Sequence, residues 1–156
     1  MNKKTKYNLI GLATAVLLIA LDQWTKALAV KHLMNQQPFV IWDGVFELHY
    51  LENRGAAFGI LQGQKVIFLI CTVLILAVLA FYYNRMPLEK KYQPLRVVGV
   101  LLGAGAVGNL IDRMVQSYVV DFLYFKLIDF PIFNVADCYV TAGAILLAIL
   151  ILFVYK

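Results

Sequence analysis

The sequence predicts an all-α membrane protein with four transmembrane helices and a small strand pair on one membrane face. Three observations carry this expectation. The 156 residues are 62% hydrophobic and only 15% charged, whereas a soluble domain is nearer ~45–50% apolar and ~25% charged. The apolar residues are gathered into four long runs. The Lys and Arg residues outside those runs divide unevenly between two sides. One domain, residues 1–156, accommodates this length.

The first run is strongly apolar from Leu9 to Leu21 and continues through "DQWTKALAV". Lys3, Lys4 and Lys6 resemble the n-region of a signal peptide, and Ala27-Leu28-Ala29 resembles a cleavage site. "DQWTK" separates that site from the apolar run, so an uncleaved anchor helix is expected instead. The second run, Val66 to Tyr83, carries no charge, and the fourth covers Tyr139 to Tyr155. The third, Val97 to Ile111, is rich in Gly and Ala; Gly99, Gly103, Gly105 and Gly108 are expected to allow close helix packing. A spanning helix needs about 20 residues. The expected spans are 7–30, 65–84, 96–114 and 137–155, the first and third completed by polar residues at one end.

Orientation follows from the cations. Lys3, Lys4, Lys6, Arg85, Lys90, Lys91, Arg96 and Lys156 share one side with a single acid, Glu89. That side is expected to be cytoplasmic, with both termini on it. All other acids then fall on or near the outer side. On that side "FVIWDGVFELHYL" alternates loosely around Asp43-Gly44, a hairpin signal. It is expected to rest on the membrane surface with Trp42, Phe46 and Tyr50 at the interface; an irregular amphipathic loop is the competing reading.

Polar residues converge on this outer edge. Asp22 and Lys26 are spaced to share a helix face. Asn109, Asp112 and Arg113 crowd the end of the third run, and "ENRGAAFG" precedes the second. Asp121 and Asp137 bracket an aromatic stretch in which Asp129 is expected to be solvated. Ionisable groups at membrane depth are costly and point to function. An ion pair explains Asp22 with Lys26, and Arg113 suits an interface anchor or a partner for Asp112. Asp121 and Asp137 have no such local partner. The chain has one serine, Ser117, and two histidines, His32 and His49, without a nucleophile motif. Cys71 and Cys138 form no CxxC pair, no HExxH occurs, and no metal or cofactor site is expected. A carboxylate pair remains. Two close carboxyls share one proton, so one serves as base and the other as acid. No basic arm suggests nucleic acid.

Five motifs, in this order, resemble the lipoprotein signal peptidase (signal peptidase II) family of bacteria: "DQWTK" at Asp22–Lys26, "NRGAAFG" at Asn53–Gly59, "GAVGNLIDR" at Gly105–Arg113, "VVDF" at Val119–Phe122 and "FNVAD" at Phe133–Asp137. The resemblance covers nearly the whole chain. It implies an aspartic endopeptidase of the cytoplasmic membrane, working as a monomer without a cofactor. Its partners would be membrane lipids and lipid-modified prolipoproteins, cut just before a diacylglyceryl-modified cysteine. It implies four transmembrane helices, a small extracytoplasmic β-cradle and a loop bearing a short helix. By the same resemblance Asp121 and Asp137 are the catalytic dyad. Asn53, Asn109, Arg113 and Asn134 match positions that hold substrate or dyad, and Asp22, Lys26, Gly55 and Asp112 fall in the same motifs as supporting residues. Phe122, Tyr124 and Phe125 are expected to rest in the interface or close over substrate. Two other readings compete. A small transporter or channel would place acids within the helices near the bilayer midplane. A non-enzymatic assembly factor docking through the Gly-rich helix leaves the two aspartates unexplained.

Overall fold

A computed structural model describes residues Asn2–Gly55 and Lys65–Tyr155, Lys65 by its backbone alone. The last four residues of the "NRGAAFG" motif, Ala56–Gly59, lie outside the described residues.

Four helices dominate: α1 (Lys3–Leu33), α2 (Lys65–Arg85), α3 (Gln93–Val115) and α4 (Val135–Ile149), the last prolonged by a wider turn over Leu150–Val154. Each contains a segment long and apolar enough to cross a membrane: Lys3–Leu33, Val66–Arg85, Lys90–Val115 and Val135–Val154. Compared with the expected spans, α1 and α3 are longer at both ends and α4 begins two residues earlier. Asn2 explains the early start of α1, because its side chain accepts from the Thr5 N–H at 2.8 Å and satisfies a donor of the first turn. Val66, Ile70, Val73 and Leu74 of α2 stay exposed on the protein, as befits a helix facing lipid.

The glycines of α3 settle the packing of α3 on its neighbours. A Cβ at Gly105 would stand 2.5 Å from the Ala136 carbonyl oxygen, and one at Gly108 2.5 Å from Asp22 Oδ2. A side chain at either position would push α4 or α1 away. Gly99 lies against the Tyr83 ring. Gly103 corrects the expectation: a Cβ there meets nothing within 4 Å.

The expected strand pair exists as β1 (Phe39–Trp42) and β2 (Phe46–Asn53), turning at Gly44 with φ +69°, a conformation that suits glycine. The sheet has a third strand where the sequence predicts loop. β3 (Val119–Phe125) joins β2 in antiparallel order β1-β2-β3. Phe46 pairs with Phe125 and Leu48 with Leu123; beyond an irregularity, Leu51 pairs with Asp121 and Asn53 with Val119. β2 therefore carries one extra residue between Leu48 and Leu51, a bulge that re-aims the side chains beyond it. The core of this end, Ala29 and Leu33 of α1 with Val120 and Phe122 of β3, is joined by Tyr50. Phe122 is thus packed inside rather than placed at the interface, Tyr50 is half-buried against the same core, and Trp42 is exposed. A single short helical turn, Lys126–Ile128, follows β3 and is pinned to the sheet by Lys126 Nζ on Glu47 Oε1 at 2.6 Å.

Candidate active site

β3 and the first turn of α4 carry Asp121 and Asp137. The two elements are stitched together by backbone: the N–H groups of Phe122 and Leu123 donate to the Phe133 carbonyl, and the Phe133 N–H returns to Leu123. The next residue, Asn134, caps α4. Its Oδ1 accepts from the Asp137 N–H at 3.0 Å, while Asp137 Oδ2 accepts from the Asn134 N–H at 3.1 Å. This is a capping box with Asp in place of Glu. The Asn-x-x-Asp spacing within "FNVAD" is its sequence signal, and the sequence reading did not use it. The carboxylate also lies at the positive end of the helix dipole.

Asp121 is 1% exposed. Its Oδ2 accepts from Asn53 Nδ2 at 2.8 Å and its Oδ1 from Asn134 Nδ2 at 2.6 Å. Asn53 is oriented in turn, because its Oδ1 accepts the Gly55 N–H at 3.0 Å. Asp137 Oδ1 accepts from Asn109 Nδ2 at 2.8 Å. Asn134 therefore links the two carboxyls directly: its side chain donates to one and its backbone to the other. Burial pushes Asp121 up from the ordinary carboxylate value of 3.8 to about 6, and the charge of Asp137 adds to the rise. Hydrogen bonds from Asn53 and Asn134 oppose it.

Both aspartates line one cavity of about 950 Å³, with Asn53, Gly55, Asn109 and Arg113. Its other walls are largely apolar, with Phe125, Ile128, Phe130, Ile132 and Phe133 on one side and Val140, Ala142 and Ile145 of α4 on another, and Glu52 and Arg54 also line it. Arg113 does not pair with Asp112. Its Nη2 donates to the Gly55 carbonyl at 3.3 Å, its Nη1 to the Asn109 carbonyl at 3.4 Å, and its guanidinium stands 4.7 Å from the Phe68 ring centroid. The helical geometry explains the correction: adjacent residues on a helix point apart.

Asp22, Lys26 and Asp112 lie behind the cavity rather than in its wall. Lys26 Nζ meets Asp22 Oδ2 at 2.9 Å and Asp112 Oδ2 at 3.1 Å, with all three side chains at most 5% exposed. The expected ion pair is thus a triad. Asp22 Oδ1 accepts the Ala136 N–H and Asp112 Oδ2 the Val120 N–H, so the triad fastens the start of α4 and the start of β3 to α1 and α3. Gln23, a member of "DQWTK" not expected at the site, donates to Asp22, to the Gly108 carbonyl and to Asp112. Asp129 stays apart, exposed and bonded to Tyr124 Oη. His49 stacks on Tyr124.

Two carboxyls at one apolar cavity, one holding a proton toward neutral pH, can support general acid–base hydrolysis. Comparisons with known proteins agree with that chemistry. The chain is 44% identical over 146 residues to a lipoprotein signal peptidase of Streptococcus thermophilus (strain CNRZ 1066), covering 91% of this chain and 92% of the relative. It is 41% identical over 145 residues to a lipoprotein signal peptidase of Caldanaerobacter subterraneus subsp. tengcongensis, covering 92% and 97%. A bacterial membrane enzyme solved in meso at 2.3 Å superposes with a TM-score of 0.82 at 34% identity, covering 92% of this chain and 87% of that one. A second, solved at 1.9 Å, gives 0.79 at 34% identity, covering 93% and 94%. The family model described as signal peptidase (SPase) II matches residues 14–153, a stretch that includes both carboxyls, the triad behind them and the cavity they line, and the chain belongs to that family.

Proposed function

We propose that this chain is the aspartic endopeptidase that removes signal peptides from diacylglyceryl-modified prolipoproteins, with Asp121 and Asp137 as its catalytic dyad. The observation that carries the assignment is the bridging of two carboxyls through Asn134 in the wall of one largely apolar cavity. The charged carboxyl takes a proton from water, and the resulting hydroxide equivalent attacks the scissile carbonyl carbon. The neutral carboxyl gives its proton to the carbonyl oxygen. Collapse of the tetrahedral intermediate breaks the C–N bond as a dyad proton passes to the leaving nitrogen; one hydroxyl of the intermediate returns its proton to the other carboxylate as the C=O re-forms, and the dyad again holds one proton. Asn53, Asn109 and Asn134 hold the carboxyls, while Arg113 holds the Gly55 backbone at the cavity edge.

The apolar walls suit the lipid and the hydrophobic signal helix of such a substrate. Displacing water from the cavity raises the proton affinity of Asp121 further, toward the pH at which the enzyme works. The Lys and Arg distribution supports cytoplasmic termini and a site at the outer face of the cytoplasmic membrane. One chain carries both carboxyls and their supports, which fits a monomer. The transporter reading finds no support: the acids gather at one end of the helices, and the relatives are named peptidases.

The test is purified protein with a diacylglyceryl-modified prolipoprotein and its unlipidated twin. If the lipid positions the scissile bond, remote binding energy serves orientation, and the unlipidated precursor is cut far more slowly. Equal rates would remove the lipid from the mechanism.

A further inference from the structure

We propose that Lys26 is a positioning residue for the dyad: its buried ammonium fixes the direction of the Asn109 side-chain amide, and so aims an N–H donor at Asp137 and an acceptor at Asn134, the residue that donates to Asp121. This inference rests on the reading of Asp121 and Asp137 as the dyad.

The argument is one of hydrogen-bond polarity. An ammonium donates and cannot accept, whereas an Asn side chain has an oxygen that only accepts and an N–H2 that only donates. Lys26 Nζ lies 2.9 Å from Asn109 Oδ1. Turning that amide over would set its N–H2 against the ammonium, donor against donor, at a site where Lys26 is 3% exposed. Asn109 Nδ2 therefore has to face the other way, and there it meets Asp137 Oδ1 at 2.8 Å. The same Oδ1 accepts a second bond, from Asn134 Nδ2 at 3.1 Å. Asn134 is fixed by its cap, where its oxygen accepts the Asp137 N–H, and its remaining N–H points at Asp121 Oδ1, at 2.6 Å. One cation on α1 thus sets the donor on Asp137 and the acceptor that seats Asn134, whose own N–H2 donates to Asp121. Asp22 and Asp112 hold the ammonium in place from two sides. The charged groups facing the pair are Lys26 and Asp22 of α1 and Arg113 of α3, with Glu52 and Arg54 from the end of β2 lining the same cavity, and Asn53 donates to Asp121 independently of the chain.

Lys26→Met alone would leave two buried carboxylates facing each other and endanger folding. The test therefore uses the full chain with Lys26→Met and Asp112→Asn together, which keeps the net charge of the buried cluster while removing the ammonium. Cleavage of a diacylglyceryl-modified prolipoprotein is followed per folded molecule. The expected result is a kcat lower by about 10–100-fold, the usual effect of losing a group that orients first-contact residues, with KM little changed. The alkaline limb of kcat/KM moves to higher pH, because carboxylates that lose aimed donors hold their proton more tightly. A folded double variant with unchanged kcat and an unmoved limb overturns the inference, as does a lower yield or melting temperature with both kinetic quantities intact. A second variant leaves the ion cluster alone. Asn109→Asp keeps the acceptor toward Lys26 and Asn134 but has no donor for Asp137; a comparable fall in kcat is expected, and a wild-type kcat refutes the amide chain even if the double variant does not accumulate. Asp121→Asn and Asp137→Asn separate the two levels: if they still cleave, the dyad assignment fails, whereas if they are inactive and the Lys26 variants behave as wild type, only the role of Lys26 fails.

Discussion

Replacing Asp121 by Asn preserves its shape and removes its ability to carry charge or cycle a proton, and the geometry assigns separate magnitudes to stability and to chemistry. Both oxygens of Asp121 accept from amide N–H2 groups, Asn53 Nδ2 at 2.8 Å and Asn134 Nδ2 at 2.6 Å. An Asn in its place offers one acceptor and one donor, so either rotamer sets N–H2 against N–H2. Neither neighbour is free to turn, because Asn53 Oδ1 holds the Gly55 N–H and Asn134 Oδ1 holds the Asp137 N–H. A donor left unmatched at a site 1% exposed costs about 1–3 kcal/mol. Asp137→Asn meets the same conflict, since Asn109 Nδ2 and the Asn134 N–H occupy its two oxygens. The catalytic loss is larger: removing a general acid or base lowers the rate by about 10²–10⁴. The double variant is expected to be scarcely slower than either single one, because members of a catalytic unit are non-additive. Asp129→Asn is the control. Asp129 is exposed with φ 47°, a left-handed conformation Asn tolerates well, so near-wild-type cleavage is expected. The assay is gel-resolved processing of a lipidated prolipoprotein, with rates divided by the folded fraction measured from thermal unfolding in detergent. Substantial cleavage by either dyad variant, together with an inactive Asp129→Asn, would show that the wrong carboxyls have been chosen.

Three further outcomes follow from particular contacts. Asp121 titrates near 6, so rising pH removes the shared proton and kcat/KM of the free enzyme falls on the alkaline side; Asn53→Ala deletes a donor that favours the carboxylate, and the limb is expected to move upward, with an unmoved or lowered limb contradicting the assignment. Gly108→Ala drives a methyl to 2.5 Å from Asp22 Oδ2 and is expected to lower stability by about 1–3 kcal/mol, whereas Gly103→Ala meets no atom within 4 Å and is expected to raise it by about 0.5–1 kcal/mol; melting temperatures in detergent compare the two, and equal shifts would refute the packing argument. Reporter fusions within Arg85–Gln93 are expected to report the cytoplasm and fusions within Asn35–Asp43 the outside, and an outside signal from Arg85–Gln93 would overturn the placement of the site.

The four helices were legible because the bilayer imposes a rule on local sequence: each span needs about 20 apolar residues with its backbone bonds satisfied within the segment. The candidate site residues were legible for a related reason. A polar side chain such as Asp22, Asn109 or Asp137 stands out against an apolar run, and the five motifs gave these positions an order shared with a family. The hairpin at Asp43-Gly44 was equally local, since a short turn signals itself by its Asp-Gly pair; here it spans three residues, Asp43 to Val45, between Trp42 and Phe46.

β3 was not legible, although "VVDFLYF" has the β-branched and aromatic composition of a strand. Its partner is distant: Val119 pairs with Asn53, and such pairing is decided by the packing of α1, α3 and β2 around it rather than by neighbours along the chain. The partner of Arg113 is likewise tertiary, a carbonyl of Gly55 brought across from the end of β2. Composition identified the glycines of α3 as small, but only the neighbouring helices separate Gly108, filled to contact by Asp22, from the open space at Gly103. Above all, the sequence alone supplied the two carboxyls, the three asparagines and the lysine without a direction for any amide. That direction exists only once Lys26 of α1 stands beside Asn109 of α3 and Asn134 lies between β3 and α4, because a hydrogen-bond donor acquires its target from the atoms that surround it in space.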